Sequence, residues 1–177
     1  MSMKLSTGRV PFPIEFDNGD RQTIYFNPQS KTFREKIFEF EKSVNARITN
    51  INIEKYKNAF EDGTSVNVDI NDIDAVMNLS SEELDSLKAK ADAIASIDNE
   101  YQSAIKDELD AIFESPISEV VFKYCQPLDP VVVVDDKGIE TTEPFVFQFI
   151  KALHYELVKY GEGRTEAIEK YLGKHKK

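Results

Sequence analysis

The acidic residues between Asp69 and Asp74 are the part of the sequence closest in type and spacing to a metal site. A calcium-binding EF-hand loop places oxygen ligands at positions 1, 3 and 5, a glycine at position 6 and a glutamate at position 12. Counted from Asp69, the sixth residue is Asp74 and the twelfth is Ser80, so both of the last two requirements fail. The chain has 2 His and 1 Cys, fewer than the four ligands that a His/Cys zinc site needs. The sequence therefore predicts no metal site.

Three carboxylates and two single reactive side chains are the other groups that could do acid–base or nucleophilic chemistry. Asp135, Asp136 and Glu140 follow a run of valines and are predicted to lie on a solvated turn. Paired acid–base carboxylates instead need an apolar pocket that separates their pKa values. His154 and Cys125 are predicted to be packing residues of helices. A Ser-His-Asp group assembles in space, so spacing alone leaves that class of site open. The sequence favours a protein that is not an enzyme, with no catalytic residue and no cofactor.

The net charge of −10 is concentrated in the middle of the chain. Residues 61–143 carry 21 Asp or Glu and 5 Lys or Arg, a net charge of −16, whereas the segments on either side are each +3. An acidic surface of this kind repels nucleic acid and attracts basic proteins. The segment is therefore either a solvated face that keeps the protein in solution or a docking surface for a basic partner. The sequence predicts no nucleic-acid binding.

Apolar runs in the chain are short. The longest span four or five residues, such as 131–134, whereas a helix that crosses a bilayer needs ~18. The first residues lack the apolar stretch of a signal peptide, and a single cysteine fits a reducing compartment. The 12 Phe and 7 Tyr argue against disorder. We expect a soluble, intracellular, folded protein that does not bind membranes.

A β-hairpin followed by a helix is predicted at the start of the chain. Residues 14–16 alternate apolar and polar, Asn18-Gly19 is a strong turn signal, and residues 23–26 form the return strand. A helix begins near Ser30 or Lys31, because apolar residues then recur every three or four positions. That stripe consists of Phe33, Ile37, Phe40, Val44 and Ile48. The hairpin is expected to cover it, and residues 1–11 are expected to be flexible.

A long helical pattern runs from about residue 80 to about residue 114. Ser80 or Ser81 is the predicted N-cap, with Glu83 or Glu82 in the first turn. Asp98 falls at a position where the apolar seam needs an apolar residue, so one continuous helix and two antiparallel helices are both consistent with the pattern. The seam is the predicted partner-binding surface, with intramolecular core as the alternative. Its predicted contact residues are Leu84, Leu87, Ile94, Tyr101 and Ile105.

Shorter elements are predicted around this helix. They are a short helix over 53–60 ended by residues 62–63, a strand over 66–70 or a capped helical turn through Val76, a short helix over 117–125, and strands over 131–134 and 139–142. A helix with Pro144 at its first position then buries Val146, Phe149, Ile150, Leu153 and Leu157. Residues 161–163 are predicted to end it. Thr165 is predicted to cap a last helix over 166–172, before a flexible tail at 173–177.

These elements define the predicted fold class. The chain is mainly α (α+β), with an N-terminal β-hairpin packed on a helical bundle and a second small hairpin near 131–142. A length of 177 residues fits one domain. Residues 1–177 are therefore predicted to form a single domain that includes an acidic helical segment over 61–143.

Three segments occur in an order that is characteristic of one protein family. They are a strand, an Asn-Pro turn and a helix with spaced aromatics over 24–40, an acidic helix, turn and second helix over 109–122, and an amphipathic helix over 145–158. In this order they resemble the small tail assembly chaperones of long-tailed phages and prophages of Gram-positive bacteria. The family usually has a glycine in the turn after its second element, where this chain has Glu114-Ser115-Pro116. Residues 50–80 and 131–142 are additions relative to the family.

The resemblance implies a non-enzymatic role in phage tail assembly. Such chaperones bind the long helical tape measure protein, keep it soluble and help to recruit the tail tube protein in the cytoplasm of the bacterial host. A helical client exposes apolar stripes that aggregate, and a helical partner with an apolar groove can cover them. Self-association of the chain is a further expectation.

Two other functions are consistent with the sequence. An acidic DNA mimic would inhibit a DNA-binding protein through residues 61–143, and its binding would weaken as salt rises. A structural tail or connector subunit would instead polymerise into rings. Replacing Leu87 and Ile94 by aspartate tests the chaperone hypothesis, because binding to a client should be lost if the seam is the contact surface.

Overall fold

Eight helices and strands make up the described part of the chain. The computed structural model describes residues 7–60, 79–134 and 137–174, with side chains over 7–55, 79–134 and 137–161. The elements are β1 (Val10–Glu15), β2 (Arg21–Phe26), α1 (Lys31–Phe60), α2 (Ser81–Phe113), α3 (Ser118–Val121), β3 (Pro130–Val134), β4 (Glu140–Pro144) and α4 (Phe145–Lys174). The predicted fold class is confirmed: the protein is mainly α with two small antiparallel hairpins. The sequence patterns of residues 66–70 and Asp69–Asp74 lie outside the described residues.

The N-terminal hairpin forms around the predicted turn. β1 and β2 pair antiparallel, with Val10 opposite Phe26 and Glu15 opposite Arg21. Gly19 has a φ of +82°, which a glycine adopts without steric cost, and its N–H donates to the carbonyl of Phe16 at 2.8 Å. The strand begins earlier than predicted, because Val10 and Pro11 of the segment expected to be flexible are paired with β2.

Two compact units are formed by the described residues. Unit 1 comprises those within 1–42 and 105–177, and unit 2 comprises those within 43–104. The core of unit 1 is aromatic: Phe26 stacks on Phe33 at 5.4 Å, and Phe33 meets Phe113 edge-on at 5.1 Å between ring centroids. The predicted stripe of α4 is buried in the same unit, through Val146, Phe149, Ile150, Leu153 and Leu157. The hairpin therefore covers helices, as predicted, whereas the single-domain prediction stays a prediction.

Unit 2 contains the C-terminal part of α1 and the N-terminal part of α2. Lys55 Nζ lies 2.6 Å from Asp98 Oδ1, and Tyr101 donates its hydroxyl proton to Glu54 Oε1 at 3.0 Å. Asp98, which lies at a seam position of α2, therefore forms an ion pair with Lys55. α2 runs unbroken through Asp98, which was one of the two alternatives consistent with the sequence.

Both ends of α2 are closed by local hydrogen bonds. At its start, Glu83 Oε2 accepts from Ser80 N at 2.8 Å and Ser80 Oγ accepts from Glu83 N at 3.3 Å, the predicted capping box. At its end, Ser115 N donates to the carbonyl of Asp110 at 3.2 Å, and Glu114 has a φ of +55°. This is a Schellman motif, in which the left-handed residue is usually glycine.

Three predicted helix boundaries were wrong. α1 runs without a break to Phe60, so the separate helix over 53–60 belongs to it. The helix predicted over 117–125 is only Ser118–Val121. α4 continues through Gly161 to Lys174, so neither the predicted end at 161–163 nor a separate last helix is present. A helical glycine costs only about 1 kcal/mol relative to alanine, which the buried stripe of α4 offsets.

The start of α4 also differs from the prediction. Pro144 is the last residue of β4, paired with Pro130, and is not the first residue of the helix. The N–H groups of Phe145 and Val146 donate to the carbonyls of Asp129 and Pro127, both at 2.9 Å. The orphan donors of the first helical turn are thus satisfied by backbone carbonyls. These bonds fix the base of the β3–β4 hairpin to α4.

Candidate functional site

An apolar groove opens at the surface of unit 1. It has a volume of about 490 Å³ and is formed by β1 with its turn, the segment that follows α3, and the first turns of α4. The apolar lining consists of Phe12, Pro13, Ile14, Phe16, Val121, Tyr124, Cys125, Phe145, Phe149 and Ala152. Concave, largely apolar sites of this size are typical of ligand and partner binding.

The aromatic side chains of the groove are held by packing on one another. Phe12 is buried and contacts Phe26 and Phe149 edge-on, at 6.0 and 6.3 Å between ring centroids. Phe16 lies edge-on to Tyr124 at 5.0 Å. Tyr124 is 50% exposed, so part of its ring is available to a molecule in the groove. Aromatic pairs of this geometry add stability beyond the area that they bury.

A hydrogen-bond network around Asp20 fixes one wall of the groove. Asp20 Oδ2 accepts from Lys123 Nζ at 2.7 Å, from Tyr124 Oη at 3.0 Å and from Gln22 Nε2 at 3.3 Å. The hydrogen bond from Lys123 is the largest cause that lowers the pKa of Asp20 from 3.8 to about 2. The same bond raises the pKa of Lys123. The network joins the β1–β2 turn to the segment after α3, which carries Tyr124.

The rim of the groove is polar and partly acidic. Glu15, Asp17 and Asn18 lie on the hairpin side and Gln148 on the α4 side. Arg21 donates to Glu15 Oε1 at 3.1 Å. An apolar floor with a polar rim accommodates apolar side chains of a partner and leaves its backbone and charges at the surface. A groove of this polarity can accept an amphipathic segment.

Of the side chains considered for chemistry, His154, Cys125 and Glu140 lie within the described residues, and Asp135 and Asp136 lie outside them. His154 Nε2 lies 3.7 Å from Glu41 Oε2, and Cys125 is a half-buried free thiol in the groove wall. Within the described ranges, no three His, Cys, Asp or Glu side chains are close enough to hold a metal ion together. None of the helices over those same ranges is long and apolar enough to cross a bilayer.

The predicted partner-binding residues do not all lie on one surface. Leu84 is 42% exposed at the start of α2, and Leu87, Ile94 and Tyr101 are half-buried in unit 2. Ile105 is different: it is 0% exposed and belongs to the core of unit 1. The prediction that Ile105 contacts a partner is therefore corrected, because a side chain buried in the core is not accessible to a partner in the folded protein. A binding role for the other four stays a prediction.

The groove itself was not predicted from the sequence. Its walls come from residues 12–18, 121–125 and 145–152, and periodicity reports only neighbours within one element. One signal was present, because Phe12, Ile14 and Phe16 alternate with polar or proline residues. That alternation indicates an apolar strand face but not what lies opposite it.

Comparison of the chain with protein-family models, with curated proteins and with solved structures finds no match. Function must therefore be argued from the groove, the exposed side chains and the charge distribution.

Proposed function

We propose that the chain is a non-enzymatic tail assembly chaperone of a long-tailed phage or prophage, acting in the cytoplasm of the bacterial host. Its client would be the long helical tape measure protein, and the tail tube protein would be a second partner. The observation that supports this most is the aromatic-lined groove of unit 1, whose volume of about 490 Å³ accommodates several apolar side chains. An amphipathic helix presents such side chains at spacings of three and four residues.

The composition of the groove supports transient rather than permanent binding. The apolar area of the groove is small compared with that of an obligate interface, and the rim of the groove is polar. A chaperone must release its client as the tail tube grows, so moderate affinity suits the role. The acidic charge of residues 61–143 would keep a complex of chain and client in solution.

The seam of α2, which was predicted as the partner-binding surface, is proposed as a second contact for the client through its accessible residues. Leu84 is the most exposed of these residues, and Leu87 and Ile94 are half-buried on the same helix. A long client helix offers more apolar surface than one groove covers, so a second apolar contact is consistent with the role.

Co-expression tests the proposal. The chain is produced together with a tape measure protein of a long-tailed phage of Gram-positive bacteria, and the amount of soluble, co-purifying client is measured. Ala152 is exposed and lines the groove, so Ala152→Arg should block the groove without removing a core contact. Ala89→Arg is the matched control, because Ala89 is also an exposed helical alanine but does not line the groove.

We expect the wild type and the Ala89→Arg variant to keep the client soluble. The Ala152→Arg variant should recover much less soluble client. Equal recovery with both variants would exclude the groove as the client site. A client that is as soluble without the chain as with it would exclude the chaperone role. Binding that disappears between low and high salt would favour the acidic mimic instead, because apolar contacts are little affected by screening.

A further inference from the structure

A second cavity opens in unit 1 and shares no lining residue with the groove. It has a volume of about 280 Å³ and is formed by residues 7–9, the end of β2 with the turn that follows it, the first two turns of α1 and the C-terminal end of α2. Sites for drug-sized ligands are typically about 300–1,000 Å³. This second cavity is therefore large enough for a small molecule or for a single residue of another chain.

The backbone segment that carries Arg9 is fixed against the turn after β2. Asn27 Nδ2 donates to the carbonyl of Thr7 at 3.2 Å, and Asn27 Oδ1 accepts from the Gln29 N–H at 3.0 Å. Gly8 has a φ of +66°, and a Cβ atom there would lie 2.9 Å from Asn27 Nδ2. Glycine allows both this conformation and this close approach. The segment thus holds Arg9 at the wall of the second cavity.

The charged lining of the second cavity consists of two cations and one carboxylate, Arg9, Lys36 and Glu114. Arg9 Nη2 lies 3.9 Å from Glu114 Oε2 in a solvent-exposed pair, which is a weak contact. Lys36 has no ion-pair partner in the described part of the chain, whereas Lys31 and Lys42 on the same helix pair with glutamates of α1. The lining therefore has an excess of one positive charge, although the net charge of the protein is −10.

Hydroxyl groups and an apolar floor complete the lining of the second cavity. Tyr25 and Thr32 line it, and their hydroxyls form no hydrogen bond with any other described residue. A hydroxyl can donate its proton to an oxyanion. The floor consists of Phe26, Phe33 and Phe113, which pack on one another and are almost fully buried. Because little of these rings is exposed, the floor suits a compact apolar group.

Charge selects the class of ligand. One excess positive charge matches a single carboxylate, whereas a phosphate monoester carries a charge of about −1.5 to −2 at pH 7 and would be repelled by Glu114. The guanidinium of Arg9 offers N–H groups in a planar fork that fits a carboxylate. The apolar floor lies in the same cavity as these charges, so it can hold an aliphatic group attached to the carboxylate.

We propose that the second cavity binds the carboxylate of a small aliphatic acid. Arg9 and Lys36 hold the carboxylate, the hydroxyls of Tyr25 and Thr32 donate to it, and the aliphatic group lies on the phenylalanine floor. A free amino acid and the C-terminal residue of another protein both offer this chemistry. The site is separate from the groove and does not depend on the proposed client.

NMR titration of the ¹⁵N-labelled full chain tests the site. The probes are N-acetyl-leucine, which has the carboxylate and the aliphatic group, leucinamide, which lacks the carboxylate, and acetate, which lacks the aliphatic group. We expect N-acetyl-leucine to shift the amide signals of residues 7–9, 25–33 and 112–114. It should bind at least about tenfold more tightly than either leucinamide or acetate, because the charged contacts and the apolar contact both contribute to affinity.

Free leucine in the same titration distinguishes the two sources of the ligand. Its ammonium group can pair with Glu114, so tighter binding of leucine than of N-acetyl-leucine assigns the site to a free amino acid. Tighter binding of N-acetyl-leucine assigns it to the C-terminal residue of a chain, whose nitrogen is likewise acylated.

Protein variants localise the binding. Lys36→Gln should weaken N-acetyl-leucine at least about fivefold, because a charge-assisted hydrogen bond is lost. Lys31→Gln is the matched control, since Lys31 is an exposed lysine of the same helix that does not line the second cavity. Glu114→Gln should instead tighten the binding of N-acetyl-leucine, because it removes the carboxylate of the lining. Amide signals away from the cavity verify that each variant is folded.

Four outcomes would overturn the proposal. Leucinamide that binds as tightly as N-acetyl-leucine would exclude a role for the carboxylate, and acetate that does so would exclude a role for the aliphatic group. Equal affinities of Lys36→Gln and Lys31→Gln for N-acetyl-leucine would place the ligand outside the second cavity. Inorganic phosphate that shifts the same amides and binds more tightly than N-acetyl-leucine would assign the cavity to phosphate groups.

Discussion

At the scale of single residues, Glu114 occupies a conformation that suits glycine. Its φ of +55° places it in the left-handed region, where an L-residue is disfavoured by roughly 1–2 kcal/mol. The Glu114 side chain offsets little of this cost, because its carboxylate lies 3.9 Å from Arg9 Nη2 in an ion pair that is exposed to solvent.

Replacing Glu114 by glycine is therefore expected to stabilise the protein. Part of the relieved strain is offset by the greater freedom of glycine in the unfolded chain, so the expected gain in unfolding free energy is about 0.5–1 kcal/mol. Chemical denaturation measures it. Ala111→Gly, at an exposed position inside α2, is the control and should lose about 1 kcal/mol. Equal losses in both variants would contradict the assigned strain.

Asp20 gives unit 1 an acid-sensitive contact. Its folded pKa of about 2 lies below the ordinary value of 3.8, with the Lys123 hydrogen bond as the largest cause. A lowered carboxyl pKa stabilises the folded state fully above the ordinary value, and this contribution is lost as the pH falls towards the folded pKa. Part of the stability should therefore disappear between about pH 4 and about pH 2.

Asp20→Asn tests this contact through the pH dependence of unfolding. We expect the variant to be less stable than the wild type at pH 5 and to show a shallower loss of stability on acidification to pH 2, measured by urea denaturation. Asp17→Asn, in the same turn, should keep the slope of the wild type. An Asp20→Asn slope as steep as that of the wild type would assign the acid sensitivity to other carboxylates.

At the scale of elements, the patterns that depend on near neighbours predicted the structure best. The stripe that begins with Phe33 and the capping box of Ser80 and Glu83 follow from contacts within one or two turns, and both are present. Gly161 shows where such reasoning fails. It is a helix-ending signal by type, but Arg34 packs beside it and donates to the carbonyl of Leu157 at 3.3 Å. A contact between residues so distant in sequence cannot be read from local spacing.

The exposed apolar face of α2 yields an element-scale prediction. Leu87→Asp with Ile94→Asp places two charges where apolar contact with the client is proposed, and burying an unpaired charge is costly. We expect client binding to fall at least about tenfold while the far-ultraviolet circular dichroism spectrum is kept. Ala89→Asp with Ser96→Asp, two exposed positions on α2, should leave binding unchanged.

The same variant separates the two interpretations of that face. Unfolding of the Leu87→Asp, Ile94→Asp protein would assign both side chains to the core. A folded variant with unchanged binding would exclude the α2 face as a client contact.

At the scale of the whole molecule, the types of the secondary-structure elements could be predicted from the sequence, whereas the groove could not. The fold class followed from the succession of helix and strand patterns. The groove depends on three distant segments meeting in unit 1, and the division into two units likewise depends on long-range packing. β3 is intermediate, because its valines are visible in the sequence, whereas the 64% exposure of Val132 and the 59% exposure of Val134 are not.

Hydrogen–deuterium exchange on the full chain, alone and in complex with its co-purified client, tests the central claim most directly. A client segment seated in the groove should slow exchange of the amides in residues 12–18, the hairpin wall of the groove. The Ala152→Arg variant mixed with the same client should not show this slowing. Protection confined to residues 81–101, with unchanged exchange over 12–18, would contradict the groove as the client site.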